Sequence, residues 1–155
     1  MIAMRKATAA DVPVILGFLR AMAAEAGEEI GSTEASLLTH GFGPVPRFHG
    51  LLAEEAGVPV GMILYFPEYS TWRGEIGLFV QDVYVSPAGR GLGLGRKLLA
   101  AALRSADWQP QFLTLMVAHA NQNAREFYSA LGLTLRDKAD QLILEGEGLA
   151  ALLRP

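Results

Sequence analysis

One stretch constrains this chain more than any other: Val83-Tyr84-Val85-Ser86-Pro87-Ala88-Gly89-Arg90-Gly91-Leu92-Gly93-Leu94-Gly95-Arg96. It reads as an apolar strand, a loop with glycine at every second position, and the first turn of a helix. Gly89, Gly91, Gly93 and Gly95 carry no Cβ, so backbone amides there can come close to a ligand. A helix beginning at such a loop aims its unbonded N–H groups and the positive end of its dipole at the same place. The unit is an anion cradle, and a diphosphate fits it.

Spacing narrows the kind of cradle. A Walker A loop needs lysine and then serine or threonine after its second glycine. Here Arg96 and Lys97 stand five and six places beyond Gly91, so the pattern fails. A dinucleotide fingerprint needs G-x-G-x-x-G, whereas Gly91, Gly93 and Gly95 are spaced two and two. What remains is Arg-x-x-Gly-x-Gly, from Arg90 to Gly95. The competing reading is a glycine-rich turn that only caps a helix.

At 155 residues the chain suits one domain, residues 1–155. Hydrophobic residues make up 51% and charged residues 19%, enough for a substantial core. A net charge of −3 without a basic run argues against a nucleic-acid partner. No apolar stretch reaches the length of a membrane span, and Met1 to Lys6 lacks the apolar segment of a secretory signal. Without cysteine there is no disulfide, thiolate metal site or cysteine nucleophile. His40, His49 and His119 have no metal-type spacing, so no metal is expected. The default compartment is the cytoplasm.

Periodicity and punctuation predict an α+β order. A strand over Ile2–Ala7 precedes a helix capped by Thr8 or Asp11 and ended by Gly27, with Val12, Ile15, Leu16, Leu19, Met22 and Ala23 on one face. A short helix spans Glu34–Thr39. Strands follow at Phe48–Glu55, Val60–Phe66 and Ile76–Val85, with Pro67–Gly74 as a connection rich in breakers. The helix after the glycine loop runs from Gly93 to about Ala106, its buried stripe being Leu98, Leu99, Ala102, Leu103 and Ala106. Phe112–Val117 reads as a buried strand and Asn121–Leu131 as a helix ended by Gly132. Leu133–Arg136 and Gln141–Leu144 read as a closing hairpin.

The second informative stretch is Asn121-Gln122-Asn123-Ala124-Arg125-Glu126-Phe127-Tyr128-Ser129-Ala130-Leu131-Gly132-Leu133. Asn121 or Asn123 can cap the helix, Phe127 and Leu131 can face a core, and Tyr128 faces elsewhere. Taken with the glycine loop, it resembles the GNAT superfamily of N-acetyltransferases. The loop matches that family's acyl-CoA pyrophosphate loop, and the helix matches its N-x-x-A-x-x-F-Y-x-x-x-G-F segment. The resemblance implies a mixed central sheet of about seven strands flanked by about four helices, with acetyl-CoA as co-substrate. It assigns the coenzyme to Val83, Tyr84, Val85, Arg90, Gly91, Leu92, Gly93, Leu94, Gly95, Arg96, Asn121 and Ala124. It makes Tyr128 the acid that protonates the leaving thiolate. Arg96 and Lys97 fit a solvated helix face equally well.

Ala7–Asp11, Thr39–Gly43, Phe66–Trp72 and Gln81–Val85 narrow the resemblance to the spermidine/spermine N-acetyltransferase branch. That branch implies a small-molecule amine acceptor and a homodimer. Two positions depart from it. Gln81 stands where the branch carries glutamate, and can accept a hydrogen bond but cannot take a proton. Glu25-Ala26 stands where polyamine members carry Tyr-Glu. An alkylamine is mostly protonated at neutral pH, so something must take its proton. Asp82, His119 and a water chain held by Gln81 are the candidates. An ordinary aspartate is a poor base unless burial raises its pKa, which leaves Asp82 as an electrostatic anchor for the amine or as a partner of Arg73 or Arg90. Backbone N–H groups of Val83 or Val85 are the expected oxyanion donors. Trp72 is a candidate for the substrate pocket, a dimer interface or a core edge. A catalytically silent acyl-CoA-binding module and an enzyme for protein amines are the alternatives.

Overall fold

The structure is a computed structural model that describes residues Met1–Pro155. The chain forms two compact units, Met1–Met116 and Val117–Pro155.

The first unit is built on a five-stranded sheet in sequence order: β1 (Ile2–Lys6), β2 (His49–Glu55), β3 (Val58–Ser70), β4 (Glu75–Val85) and β5 (Leu113–Leu115). Its first four strands are antiparallel to their neighbours, and β5 runs parallel to β4, so the expected mixed sheet is present. Helices α1 (Val12–Ala26) and α2 (Glu34–Phe42) lie between β1 and β2 in the chain, and α3 (Leu94–Ser105) follows the glycine loop. Of the two expected caps, Thr8 begins a 3-10 turn, Ala9–Asp11, ahead of the helix, and Asp11 is the N-cap residue of α1 but gives it no side-chain bond. Asp11 accepts from the Thr8 amide at 2.7 Å and from the Arg5 guanidinium at 2.8 Å, while Arg5 also pairs with Glu54 on β2. Those donors hold the Asp11 carboxyl well below the usual carboxylate range. α1 ends at Gly27, whose φ of 70° suits a residue without Cβ.

α1 packs Val12, Ile15, Leu16 and Leu19 against Leu52, Met62, Leu64 and Tyr84 of the sheet. On the other face Leu98, Leu99 and Ala102 of α3 are buried as expected, but Leu103 is exposed and Ala101 takes its place. β3 extends to Ser70, through a stretch that reads as a connection. Pro67 is tolerated there because β2 pairs no further than Tyr65, leaving that side of β3 an edge. β5 is half-buried and only three residues long.

The second unit contains α4 (Gln122–Ala130) and α5 (Gly146–Leu152). The expected closing hairpin is absent: Leu133–Arg136 and Gln141–Leu144 form no strands, so the sheet has five strands rather than about seven, while the five α-helices are close to the expected four. A charged run, Arg136-Asp137-Lys138-Ala139-Asp140, separates the two segments, and a lone two-stranded ribbon is marginal in water. Phe127 is exposed rather than core-facing, and Leu131 is half-buried.

Candidate active site

β4 is the backbone of the site. Its register against β3 slips between Leu64 and Tyr65, where Leu64 faces Asp82 and Tyr65 faces Val80. Gln81 is therefore the extra residue of a β-bulge, the kind of irregularity that re-aims a strand beside a site. On its other edge β4 pairs with β5 only over Leu78–Val80. From Gln81 onward that edge has no strand partner.

The bulge decides which amides stay free. Below it, Leu78 N–H donates to Phe112 O at 2.8 Å, on the β5 side. Above it, Ser86 N–H donates to Val60 O at 2.9 Å, on the β3 side. Alternation along the strand then turns the N–H groups of Val83 and Val85 away from β3, onto the unpaired edge. The two N–H groups named from the sequence as candidate oxyanion donors thus face the unpaired edge. The same alternation puts Asp82 on the α1 face with Tyr84 and Leu64.

Asp82 has no hydrogen-bond or ion-pair partner in the chain. Both arginines proposed for it are engaged elsewhere. Arg73 pairs with Glu75 at 2.9 Å and lies over the Phe112 ring. Arg90 pairs with Glu25 at the end of α1 and donates from Nε to Val85 O at 3.2 Å. Burial without a compensating charge pushes the Asp82 carboxyl up to about 6. Glu25 also accepts from the Tyr84 hydroxyl at 3.4 Å. It thus locks the end of α1 to the end of β4, a role 65 residues from Arg90 in sequence with no local signal to reveal it.

The cradle follows. Pro87–Gly89 forms a single 3-10 turn, and Gly89 is buried so tightly that a Cβ would lie 2.9 Å from Leu94 and 3.0 Å from Val60 O. Gly91 and Gly93 differ. Their φ angles are 80° and 67°, and a Cβ at either would meet no protein atom, projecting into open space. Gly93 is the N-cap of α3 and offers no side chain to its first turn. No backbone N–H from Gly91 to Arg96 makes a well-formed hydrogen bond within the chain; the first that does is Lys97, which donates to Gly93 O. Free amides at a helix N-terminus, with glycine keeping the approach clear, fit a diphosphate. Gly91, Leu92, Gly93, Leu94, Gly95 and Arg96 would hold it through main-chain donors. The side chains of Arg96 and Lys97 are exposed.

Trp72 lies at the tip of the β3–β4 hairpin and is 99% exposed, which rules out a core edge. The length of β4, 11 residues, separates it from the cradle by about 36 Å.

The remaining candidate residues named from the sequence lie in the second unit. Asn121 caps α4, its side chain accepting from Ala124 N–H at 3.1 Å. Tyr128 is half-buried, and burial pushes its phenol above the ordinary value, so it stays protonated at neutral pH. Its ring meets Phe127 edge-on at 5.2 Å between centroids, although adjacent helix positions were expected to diverge. Its hydroxyl has no partner in the chain. His119 is exposed.

Residues 18–133 match the sequence profile of the acetyltransferase (GNAT) family. The chain is 33% identical to a thialysine N-epsilon-acetyltransferase of Bos taurus over 162 aligned positions, covering 96% of this chain and 95% of that protein. In fold it is similar to an integron cassette protein from V. cholerae, with a TM-score of 0.80, 19% identity, and coverage of 99% of this chain and 98% of that one. An aminoglycoside N-acetyltransferase solved in complex with CoA aligns with a TM-score of 0.75 at 15% identity, covering 92% of this chain and 94% of that one. With its strand, glycine loop and helix arranged as that family requires, the chain belongs to the GNAT family and is an N-acetyltransferase.

Proposed function

We propose that the protein transfers the acetyl group of acetyl-CoA directly to the primary amine of a small, cationic molecule, polyamine- or amino-acid-like. The single observation behind this reading is the pairing of a free-amide cradle with an unpaired, partly buried carboxylate on the same strand and its loop. The whole chain acts as one functional domain, since the family match runs from residue 18 to residue 133, across the boundary at Met116.

Bound coenzyme supplies an activated acyl carbon, and the chain's residues do the rest. The amides from Gly91 to Arg96 hold the phosphates. Val83 and Val85 N–H present donors where negative charge develops on the acyl oxygen; losing one such donor costs about 2.7–4 kcal/mol in other enzymes. Asp82 attracts the ammonium form of the acceptor and, with its pKa at about 6, comes within range of taking its proton, directly or through water held by Gln81. Tyr128 supplies a proton to the departing sulfur, the role its match to the family helix implies. Relatives named for thialysine support an amino-acid-like acceptor. Gln81 and Glu25, the latter committed to Arg90, weigh against a long polyamine. His119 remains a proposed substrate contact, whereas Trp72, at the hairpin tip about 36 Å from the cradle, does not reach a small acceptor held there in the same chain.

The enzyme is further proposed to be a cytoplasmic homodimer. No helix is long and apolar enough to cross a membrane. Trp72 stands exposed at the tip of the β3–β4 hairpin and suits an interface between copies. Calorimetry with CoA, followed by thiol release across an amine panel, tests the function. Turnover on small amines but not on protein lysines is the expected result. Tight CoA binding with no turnover on any amine would leave a silent acyl-CoA-binding module.

A further inference from the structure

A second concave site lies in the first unit, away from the cradle. It is a cavity of about 180 Å³ whose lining includes Lys6, Phe48, His49, Tyr65, Asp107 and Trp108. Ser105 also lines it, at the far end of α3 and about 17 Å along the helix axis from Leu94. Tyr65 faces His49 across the β2–β3 ladder, and Leu64, its neighbour, faces Asp82 across the next. Alternation therefore puts the Tyr65 and Asp82 side chains on opposite sheet faces.

Three rings form one wall. Centroids lie 5.3 Å apart for His49 and Trp108, 5.7 Å for His49 and Tyr65, and 6.1 Å for Tyr65 and Trp108. Trp108 is fixed by an Nε1 hydrogen bond to Gly77 O at 3.1 Å. Tyr65 is only 2% exposed, yet its hydroxyl bonds to nothing in the chain. No wholly buried side-chain polar atom in the protein lacks a partner, so this hydroxyl opens on the cavity. Burial and the nearby negative charge of Asp107 keep the phenol protonated and able to donate. The charged ends of Lys6 and Asp107 are unpaired with each other or with any other side chain.

Such a lining suits a ligand that carries both charges. Asp107 and the ring faces suit an ammonium. Lys6 and the Tyr65 hydroxyl suit a carboxylate. A cavity of about 150 Å³ accommodates benzene, so this one holds a molecule of roughly ten heavy atoms or fewer. We propose that this cavity is a binding site for a small zwitterion of amino-acid size, separate from the acetyl-transfer site.

The test follows the indole N–H cross-peaks of the two tryptophans in the ¹⁵N-labelled full chain, assigned with Trp72→Phe. Probes are L-leucine, 4-methylpentanoate, which lacks the ammonium, and 3-methylbutylamine, which lacks the carboxylate. L-leucine at millimolar concentration should shift the Trp108 peak saturably and leave Trp72 in place. Each single-charge analogue should bind about tenfold more weakly or worse. Lys6→Ala and Asp107→Asn, both at exposed positions that the fold tolerates, should each weaken L-leucine about tenfold without moving the melting temperature. A Trp108 peak that does not respond to L-leucine overturns the proposal. An analogue that binds as tightly as L-leucine, or folded variants that bind it like the parent, does so as well.

Discussion

The two halves of β4 share one strand and do opposite jobs. From Glu75 to Val80 it is paired on both sides or covered: Leu78–Val80 bonds to β5, and the Phe112 ring lies over Gly77. From Gln81 to Val85 it is paired on one side only, and its outward amides have no strand to meet. The glycines make the same division. Gly77 is small because a Cβ would strike Phe112 at 2.3 Å, whereas a Cβ at Gly91 or Gly93 would meet no protein atom. Glycine in the lower half serves packing, and the proposed cradle assigns glycine in the loop to recognition. The bulge at Gln81 is the switch between them, since an extra residue transfers the outward-facing amides from even to odd positions.

Gly93→Val should break the recognition side most severely. A branched side chain would stand in front of the free amides, at a φ of 67° that L-residues resist. CoA affinity, measured by calorimetry, should fall by about a hundredfold or more, equal to roughly 3 kcal/mol. A folded variant with parental affinity would end the claim that this loop is the cradle.

Next in size is Tyr128→Phe. The hydroxyl has no structural partner to lose, so the fold should hold. kcat should fall about ten- to a hundredfold with little change in CoA affinity, the scale of a positioned acid. Unchanged turnover would remove Tyr128 from the chemistry.

Gly77→Ala probes the packing side. Phe112 must move aside, at a cost of about 1–3 kcal/mol in unfolding free energy, while CoA affinity stays at the parental value. Denaturant melts and calorimetry together separate it from Gly93→Val. If Gly77→Ala weakened CoA as much as it weakened the fold, the division of β4 into two halves would fail.

Local signals made most of this legible. Alternating glycines after an apolar strand pointed to the glycine loop that opens α3, and the α4 cap was narrowed to Asn121 or Asn123, because both depend on neighbours in sequence. Long-range features were not legible. The bulge at Gln81 depends on the register of β3. The engagement of Glu25 by Arg90 joins two elements that no pattern connects. The closing hairpin was expected over Leu133–Arg136 and Gln141–Leu144, yet a short apolar run becomes a strand only where a partner exists. Trp72 could be read three ways because an exposed and a buried tryptophan look identical in sequence.

The smallest expected effect on activity is the most diagnostic of the upper half of β4. Asp82 has a folded pKa of about 6 against an ordinary value of 3.8. Between those values the native state holds more protons than the unfolded chain, so this group lowers stability as pH rises from about 4 to 6. Above 6 the cost of keeping an ionised carboxylate partly buried is fully expressed. Asp82→Asn removes that cost and should raise the unfolding free energy at pH 7–8 by about 1–2 kcal/mol. That is less than the whole pKa difference implies, since the side chain keeps some solvent contact. At pH 4 the gain should shrink towards zero. Activity should move the other way. The parent's kcat/KM should fall as pH drops through 6, because the protonated carboxyl neither attracts an ammonium nor accepts its proton. The variant should lose about tenfold at pH 7 and lack that inflexion. A variant less stable than the parent at pH 7 would mean that Asp82 is held by structural bonds. One that kept the inflexion near 6 would pass the titration to another group. Stability gained together with activity lost is the behaviour expected of a charge maintained at a site for its chemistry.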